Sequence, residues 1–239
     1  MTMIPNWQKG IVTRIEQATA NTRRYWLHLP ESPDFTFKPG QFVTFDLPIH
    51  EQRNKRWRSY SIASPPDGNT IELVISYMEG GLGSKYLFEE VTEGSEITAR
   101  GPQGIFTLPD VIDKDLFLIC TGTGIAPFRS MVHHIQRQHV PHKHIRLIFG
   151  TRTRHDLLYF DEMRQLAATI PSFSYHPILS REEWEGPCGY VHDIYEQLCS
   201  ATPEAMFMLC GWRAMIDEAR ERIVKLGYSS KDVHYEIYG

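Results

Sequence analysis

Residues 56–66 read RWRSYSIASPP. In a strand the side chains alternate, so Arg58 and Tyr60 share one face while Ser59 and Ser61 share the other. An arginine suits a phosphate, an aromatic face suits a stacked planar ring, and a hydroxyl can give or take a hydrogen bond. A second stretch, LICTGTGIAPFRSM at 118–131, is an apolar strand, a glycine-rich turn and then a helix expected to open with Pro127 in its first position. Thr121, Gly122, Thr123 and Gly124 would let a ligand approach the backbone, and the helix start offers N–H groups to a phosphate. The bland alternative is an ordinary strand-to-helix turn.

Four further stretches extend the set. FGTRTRHDLLY and ILSRE place Arg152, Arg154, Ser180 and Arg181 just past two apolar runs. Strand C-terminal ends line the binding crevice of parallel sheets, and an arginine there can grip a 2′-phosphate; for Arg154, a solvated surface role competes evenly. LCGWRAM puts Cys210 and Gly211 at another strand end, where the cysteine is either a small buried hydrophobe or a neighbour of the ligand. GGLGSKYL follows a strand with a glycine turn and Ser84 as an expected N-cap, a second helix-end phosphate site or a plain turn.

These residues need two different scaffolds. Up to about residue 108 the sequence alternates: WQKGIVTRIEQA, RYWLHLP, QFVTFDLP, RSYSIAS, IELVISYM and SEITARG, separated by PG, PPDGN and EGGLG turns. Six such strands suit a small antiparallel barrel, with only Ser84–Glu90 reading as helix. Beyond it, DLFLICT, IRLIFGT, FSYHPIL, AMFMLCG and VHYEIYG are short apolar strands. Between them PFRSMVHHIQRQ, YFDEMRQLAATI, VHDIYEQLC and RAMIDEARERIVKLG read as helices, the last stopping at Gly227. Strand–helix alternation predicts an α/β doubly wound parallel sheet. The join is expected at LPDVIDKD, giving domains 1–111 and 112–239.

Composition narrows the function. The chain has 239 residues, 41% hydrophobic and 23% charged, enough for one or two domains with a real core. A net charge of −4 gives no general attraction to nucleic acid or acidic lipid. MTMIPNWQKG lacks a signal-peptide apolar run, and Leu116–Cys120 is too short to span a bilayer, so the expectation is a soluble cytoplasmic protein. Cys120, Cys188, Cys199 and Cys210 form no CxxC pair and lack plant-type iron–sulfur spacing. HHIQRQHVPHKH gathers five histidines, but His133 and His134 face different sides of a helix, so a solvated helix end is preferred over a metal site.

RSYS, GGLGS, GPQGIF, GTGIAPFRS, SRE, CGWRAM and a terminal YEIY occur in this order across both halves. The set resembles the ferredoxin–NADP(+) reductase superfamily, which includes oxygenase reductases and flavohaemoglobin reductase domains. The resemblance implies an FAD-binding β-barrel followed by an NAD(P)-binding domain, with FAD rather than FMN. It implies that Arg58 pairs with the flavin pyrophosphate, Tyr60 lies on the isoalloxazine and Ser61 sits by flavin N5, with Ser59 in the same motif. Ile75, Ser76, Gly81, Gly83 and Ser84 match flavin-holding positions, although many relatives carry a basic residue where this chain has Ser76.

By the same resemblance Ser180, Arg181 and Arg152 take a 2′-phosphate, which favours NADPH over NADH, although the WEGPCGYV context also looks like NADH-using oxygenase reductases. Tyr190 matches a position where some relatives have an adenine-stacking tyrosine and others another arginine. Cys210, Glu236 and Tyr238 match catalytic positions, Tyr238 covering the flavin until nicotinamide displaces it; here Gly239 follows. The implied activity passes electrons to a small acidic partner, ferredoxin or flavodoxin, which a basic rim of Arg53, Lys55, Arg56 and Arg58 would attract. Rival readings are a reductase serving an oxygenase, a free-flavin reductase, and a flavin- or nucleotide-binding regulatory module without turnover.

Overall fold

The alternating residues of the first hundred form six antiparallel strands in a computed structural model that describes residues 6–238. They are β1 Gln8–Thr19, β2 Thr22–His28, β3 Phe42–Asp46, β4 Trp57–Ser61, β5 Thr70–Ser76 and β6 Glu96–Gln103. Their order is β4-β3-β6-β1-β2-β5. The two outer strands meet through an Ile62–Leu73 bridge and an Ala63 N–H that donates to Glu72 O at 2.8 Å. The sheet thereby curls into a barrel and removes its own edges. Inward residues of alternate register, among them Val12, Leu27, Val43, Phe45 and Leu73, fill it.

One helix, α1 Leu82–Glu89, belongs to this barrel. It starts two residues before the expected Ser84. Gly81 occupies the N-cap, and Ser84 is the third helical residue. The Ser84 hydroxyl instead folds the preceding turn: it accepts from Met78 N–H at 3.0 Å and contacts the carbonyls of Met78 and Gly81 at 3.2 and 3.1 Å. At its other end Leu87 is buried and its carbonyl accepts from Tyr25 OH at 2.9 Å.

The second grammar gives five parallel strands: β7 Asp115–Thr121, β8 Ile145–Thr151, β9 Phe173–Leu179, β10 Ala205–Trp212 and β11 Val233–Tyr238. Their order is β11-β10-β7-β8-β9, so the chain reverses direction of growth beside β7, between β7 and β10. In β7, Leu116–Cys120 are wholly buried, as a strand covered on both faces must be. The connecting helices are α2 Ile125–Gln138, α3 Phe160–Thr169, α4 Val191–Cys199 and α5 Arg213–Lys225. α5 buries Ile216, Ala219 and Ile223 at helical spacing and ends on Gly227 at φ +99°, the left-handed stop. Pro127 is the third residue of α2, not the first, because a 3-10 turn at Gly122–Gly124 leads straight into Ile125. A donor at that position would lack an intrahelical acceptor anyway, so the proline is still harmless.

The described chain divides into two compact units. One runs to Thr107 and also takes in Arg129–His134; the other comprises Leu108–Phe128 and the residues from Ile135 onward. Among the described residues no helix is long and apolar enough to cross a membrane, and no group of three or more His, Cys, Asp or Glu side chains could hold a metal. Of the histidine run, His139 closes α2 in the left-handed conformation and the His142 ring contacts the carbonyls of Val140 and Pro171.

Candidate functional site

In the first unit the chemistry collects on β4 and at the start of α1. The register places Tyr60 opposite Val43 and Arg58 opposite Phe45, so all four side chains share a face. The Tyr60 ring rests 5.3 Å from Phe45, and burial holds its hydroxyl firmly protonated. Arg58 donates to the carbonyls of Lys55 and Trp57 at 3.0 and 2.7 Å. Its stem crosses Gly83, where an added Cβ would stand 2.8 Å from Arg58 Cγ. A side chain at 83 would push the guanidinium off the helix start. With glycine there, a fixed cation and the unpaired first-turn N–H groups of α1 lie together, a cradle fit for a diphosphate.

The other candidates of this unit divide. Ser61 is buried at the end of β4. Ser59 turns to the opposite face, where its hydroxyl lies 3.0 Å from Thr44 Oγ1, so the structure does not bring it to Arg58 and Tyr60. Ile75 is buried in the barrel core, and Ser76 shares its hydroxyl with Thr22 at 2.8 Å. Gly81 closes the turn before α1, donating to Met78 O at 2.9 Å.

In the second unit the turn after β7 and the end of β10 press together at the reversal point. An added Cβ on Gly124 would sit 2.3 Å from Cys210 O, and one on Gly211 would sit 2.3 Å from Thr121 Oγ1. Gly122 at φ +55° and Gly211 at φ +147° also use backbone conformations that side chains disfavour. Thr121 Oγ1 is buried with no hydrogen-bond partner among the described residues. An orphaned hydroxyl beside the N-terminus of a 14-residue helix, with Thr123 half-buried in the turn, is a polar cradle suited to a nucleotide.

The ends of β8 and β9 stay paired beyond the strands: Ser180 N–H donates to Thr151 O and Arg181 N–H to Arg152 O, both at 2.9 Å. This sets the two arginines side by side. A cavity of about 230 Å³ there is lined by Leu179, Ser180, Arg181, Glu182, Glu183 and Cys188. Arg154 is tied elsewhere, its guanidinium 2.7 Å from Glu185 and its N–H donating to Glu182 at 2.8 Å. Tyr190 is two-thirds exposed at the N-cap of α4, a free ring face at the same sheet edge.

Residues 9–108 match the family model described as an oxidoreductase FAD-binding domain, and residues 118–221 match that of an oxidoreductase NAD-binding domain. A ferredoxin–NADP reductase B of Sorangium cellulosum is 36% identical over 214 residues, covering 85% of this chain and 86% of that one. The chain belongs to the ferredoxin–NADP(+) reductase superfamily. It is an oxidoreductase built from an FAD-binding and an NAD-binding domain. The reductase component of a Pseudomonas putida naphthalene 1,2-dioxygenase system is similar too, 30% identical over 96% of this chain and 68% of its own. The fold matches the crystal structure of a Neisseria gonorrhoeae ferredoxin NADP+ reductase with bound FAD and NADP, at a TM-score of 0.81 and 24% identity over 97% of this chain and 98% of that one.

The three catalytic candidates of the reductase's second unit lie on neighbouring strands. Parallel pairing sets Cys210 opposite Glu236 and Trp212 opposite Tyr238. Cys210 is fully buried, and burial pushes its thiol well up, with the Glu236 charge adding to the shift and the Tyr238 hydroxyl opposing it. It is therefore a neutral thiol and no nucleophile. Gly239 lies outside the described residues. Sequence reading passed over Glu183 and Cys188 as cavity walls. Their signal was the turn-rich loop EEWEGPCGY, which folds back so that Gly189 N–H reaches Leu179 O at 2.8 Å.

Proposed function

We propose that this reductase oxidises NADPH, uses FAD as its resident cofactor and delivers electrons to a small acidic electron-transfer protein, a ferredoxin or flavodoxin, in the cytoplasm. The observation that carries the cofactor assignment is Arg58 crossing Gly83 at the start of α1, which sets a cation beside the first-turn N–H groups of a helix. Bound FAD would supply a ring that accepts a hydride and releases its two electrons one at a time.

The chain's own groups do the positioning. Arg58 and the first turn of α1 hold the flavin pyrophosphate, with Gly81 and Gly83 keeping the approach clear. Tyr60 offers its ring face, and Ser61 a hydroxyl for flavin N5. Thr121, Gly122, Thr123 and Gly124 hold the phosphates of the nicotinamide nucleotide, and Pro127 shapes the helix that receives them. Arg152, Ser180 and Arg181 take the 2′-phosphate, and Tyr190 stacks on adenine. Cys210 and Gly211 flank the nicotinamide, Glu236 manages a proton, and Tyr238 yields its place to the incoming ring. Hydride transfer then depends on approach and orientation rather than on a strong base.

Docking charge is smaller than the sequence count. Arg53 and Arg56 both pair with the buried Asp46 carboxylate, at 3.1 and 2.8 Å, and Arg58 faces backbone carbonyls. Lys55 is left as the cation most available to a partner. Glu182 and Glu183 on the wall of the cavity favour a second reading, an NADH-using reductase of an oxygenase, since carboxylates accept from a free ribose diol.

Anaerobic titration of the FAD-loaded protein with NADPH and, separately, NADH decides. The visible flavin band is expected to bleach at a lower NADPH than NADH concentration. The reverse order would replace the first reading with the second. Protein that takes up no flavin would end both.

A further inference from the structure

The three residues that follow β4, Ile62–Ser64, are held by an unusual number of specific bonds. Ile62 N–H donates to Gln41 O at 3.0 Å, and Ala63 N–H to Glu72 O at 2.8 Å. Ala63 O accepts from Arg129 Nη1 at 2.9 Å. Ser64 O accepts from the Ser130 hydroxyl at 2.7 Å, and Ser64 Oγ accepts from Glu72 N–H at 3.0 Å. Arg129 and Ser130 belong to the first unit with the segment they hold.

Arg129 is itself buried, 8% exposed, and also reaches Glu72 Oε2 at 2.9 Å. Glu72, 3% exposed, already receives Arg24 Nε on its other oxygen at 2.6 Å. Neutralising Glu72 therefore does not require Arg129. A buried ion pair is also no better for stability than well-packed apolar side chains of the same volume. What an apolar residue cannot do is donate to Ala63 O while holding Glu72. A planar guanidinium with several fixed donors can.

We infer that Arg129 is a positioning residue for the flavin half-site: through Ala63 O and Glu72 it fixes the exit of β4, and so the place of Ser61 two residues earlier. This rests on the reading that β4 receives the flavin. Arg129 touches no reacting atom; it sets the backbone from which the Ser61 hydroxyl is aimed. Loss of the donor frees Ala63 O and lets the β4 exit move relative to β5, and Ser61 moves with it.

The test measures FAD affinity of the apo-protein by fluorescence quenching and the midpoint potential of the loaded protein, alongside urea unfolding. For R129M the FAD Kd is expected to rise about tenfold, the equivalent of one charge-assisted hydrogen bond, with a shifted potential. R129K, which keeps the charge and one donor direction, is expected to recover part of both. An R129M protein whose Kd stays within about twofold of wild type and whose midpoint potential does not shift, whatever its urea midpoint, would reduce Arg129 to a structural brace and overturn the inference. If R129M does not fold, R129K is judged by the same twofold limit. Wild-type protein that binds no FAD would remove the underlying reading instead, before any variant is compared.

Discussion

Gly124→Ala isolates the steric demand at the nucleotide half-site. The added methyl carbon would stand 2.3 Å from Cys210 O, 2.7 Å from Cys210 C and 3.1 Å from Gly211 N. A carbon–oxygen contact of this kind settles near ~3.3 Å, so about 1 Å of movement is required. β10 cannot supply it, since it is paired along its length with β7 on one side and β11 on the other. The 3-10 turn and the first residues of α2 must move instead. Overpacking of this size costs about 1–3 kcal/mol, or a fall in Tm of about 2–12 °C for a protein this long. A 1 Å displacement of a binding group can lower kcat/KM by up to ~100-fold. Gly227→Ala, past the end of α5, is the control: its φ is +99° and nothing lies within 4 Å of the new Cβ, so it carries a positive-φ penalty of about 1–2 kcal/mol and no steric one. Thermal unfolding and NADPH kcat/KM with ferricyanide as acceptor are measured for both. Gly124→Ala should lose far more kcat/KM than Gly227→Ala, because Gly124 itself has an ordinary φ of −61° and only the contact with β10 opposes its methyl group. Equal effects would show that the contact with β10 does not fix the nucleotide half-site.

Lys55→Glu should slow reduction of an acidic ferredoxin several-fold at low salt, with the difference vanishing at high salt, while NADPH-driven reduction of a small dye is kept. Equal loss on both acceptors would reject Lys55 as a docking charge. Arg56 is left alone because its removal takes away one of the two cations that pair with the buried Asp46. Stability should fall with acid. Burial lowers the pKa of His176 and of His192, the latter despite Glu218 at 3.4 Å, because that carboxylate is half exposed and already occupied by Arg222. With folded values below the unfolded ~6.5, the unfolded state takes up more protons, so stability is full above that pH and declines as pH drops through and below it. The urea midpoint is expected to hold from pH 8 to 7 and fall toward pH 5, with a shallower fall in H192Q. A midpoint that rises toward pH 5 would contradict this.

Local signals were legible and long-range ones were not. The runs DLFLICT, IRLIFGT and FSYHPIL mark β7, β8 and β9 to the residue: β7 and β8 because a strand covered on both faces is a short apolar run, and β9, half-buried at the sheet edge, because the turn residues around it bound the run. The start of α1 was misread because GGLGS looks like an extended turn, and its serine spends its hydroxyl folding that turn rather than capping the helix. Arg154 stood level between ligand and solvent in the sequence. Its actual partner, Glu185, lies 31 residues on and is delivered by a loop whose path no periodicity encodes. Arg129 was invisible for the same reason: it sits in a recognised motif, but its partners Ala63 and Glu72 are 66 and 57 residues away.

On the proposed reading the two half-sites reach a phosphate cradle by opposite means. α1 has only eight residues, and its start is reinforced by a whole cation, Arg58, admitted because Gly83 has no side chain. α2 has fourteen residues, and the contribution at its start is shape: Gly124 and Gly211 let two backbone segments touch, and Thr121 Oγ1 has no partner among the described residues. This division suits a resident cofactor and a passing substrate. A formal charge and its desolvated hydrogen bonds hold a ligand for many turnovers, whereas a neutral cradle at a helix end binds a nucleotide that must leave each cycle. Arg152 and Arg181 lie past the ends of β8 and β9, where on the proposed reading they tell which nucleotide has arrived rather than how firmly it stays.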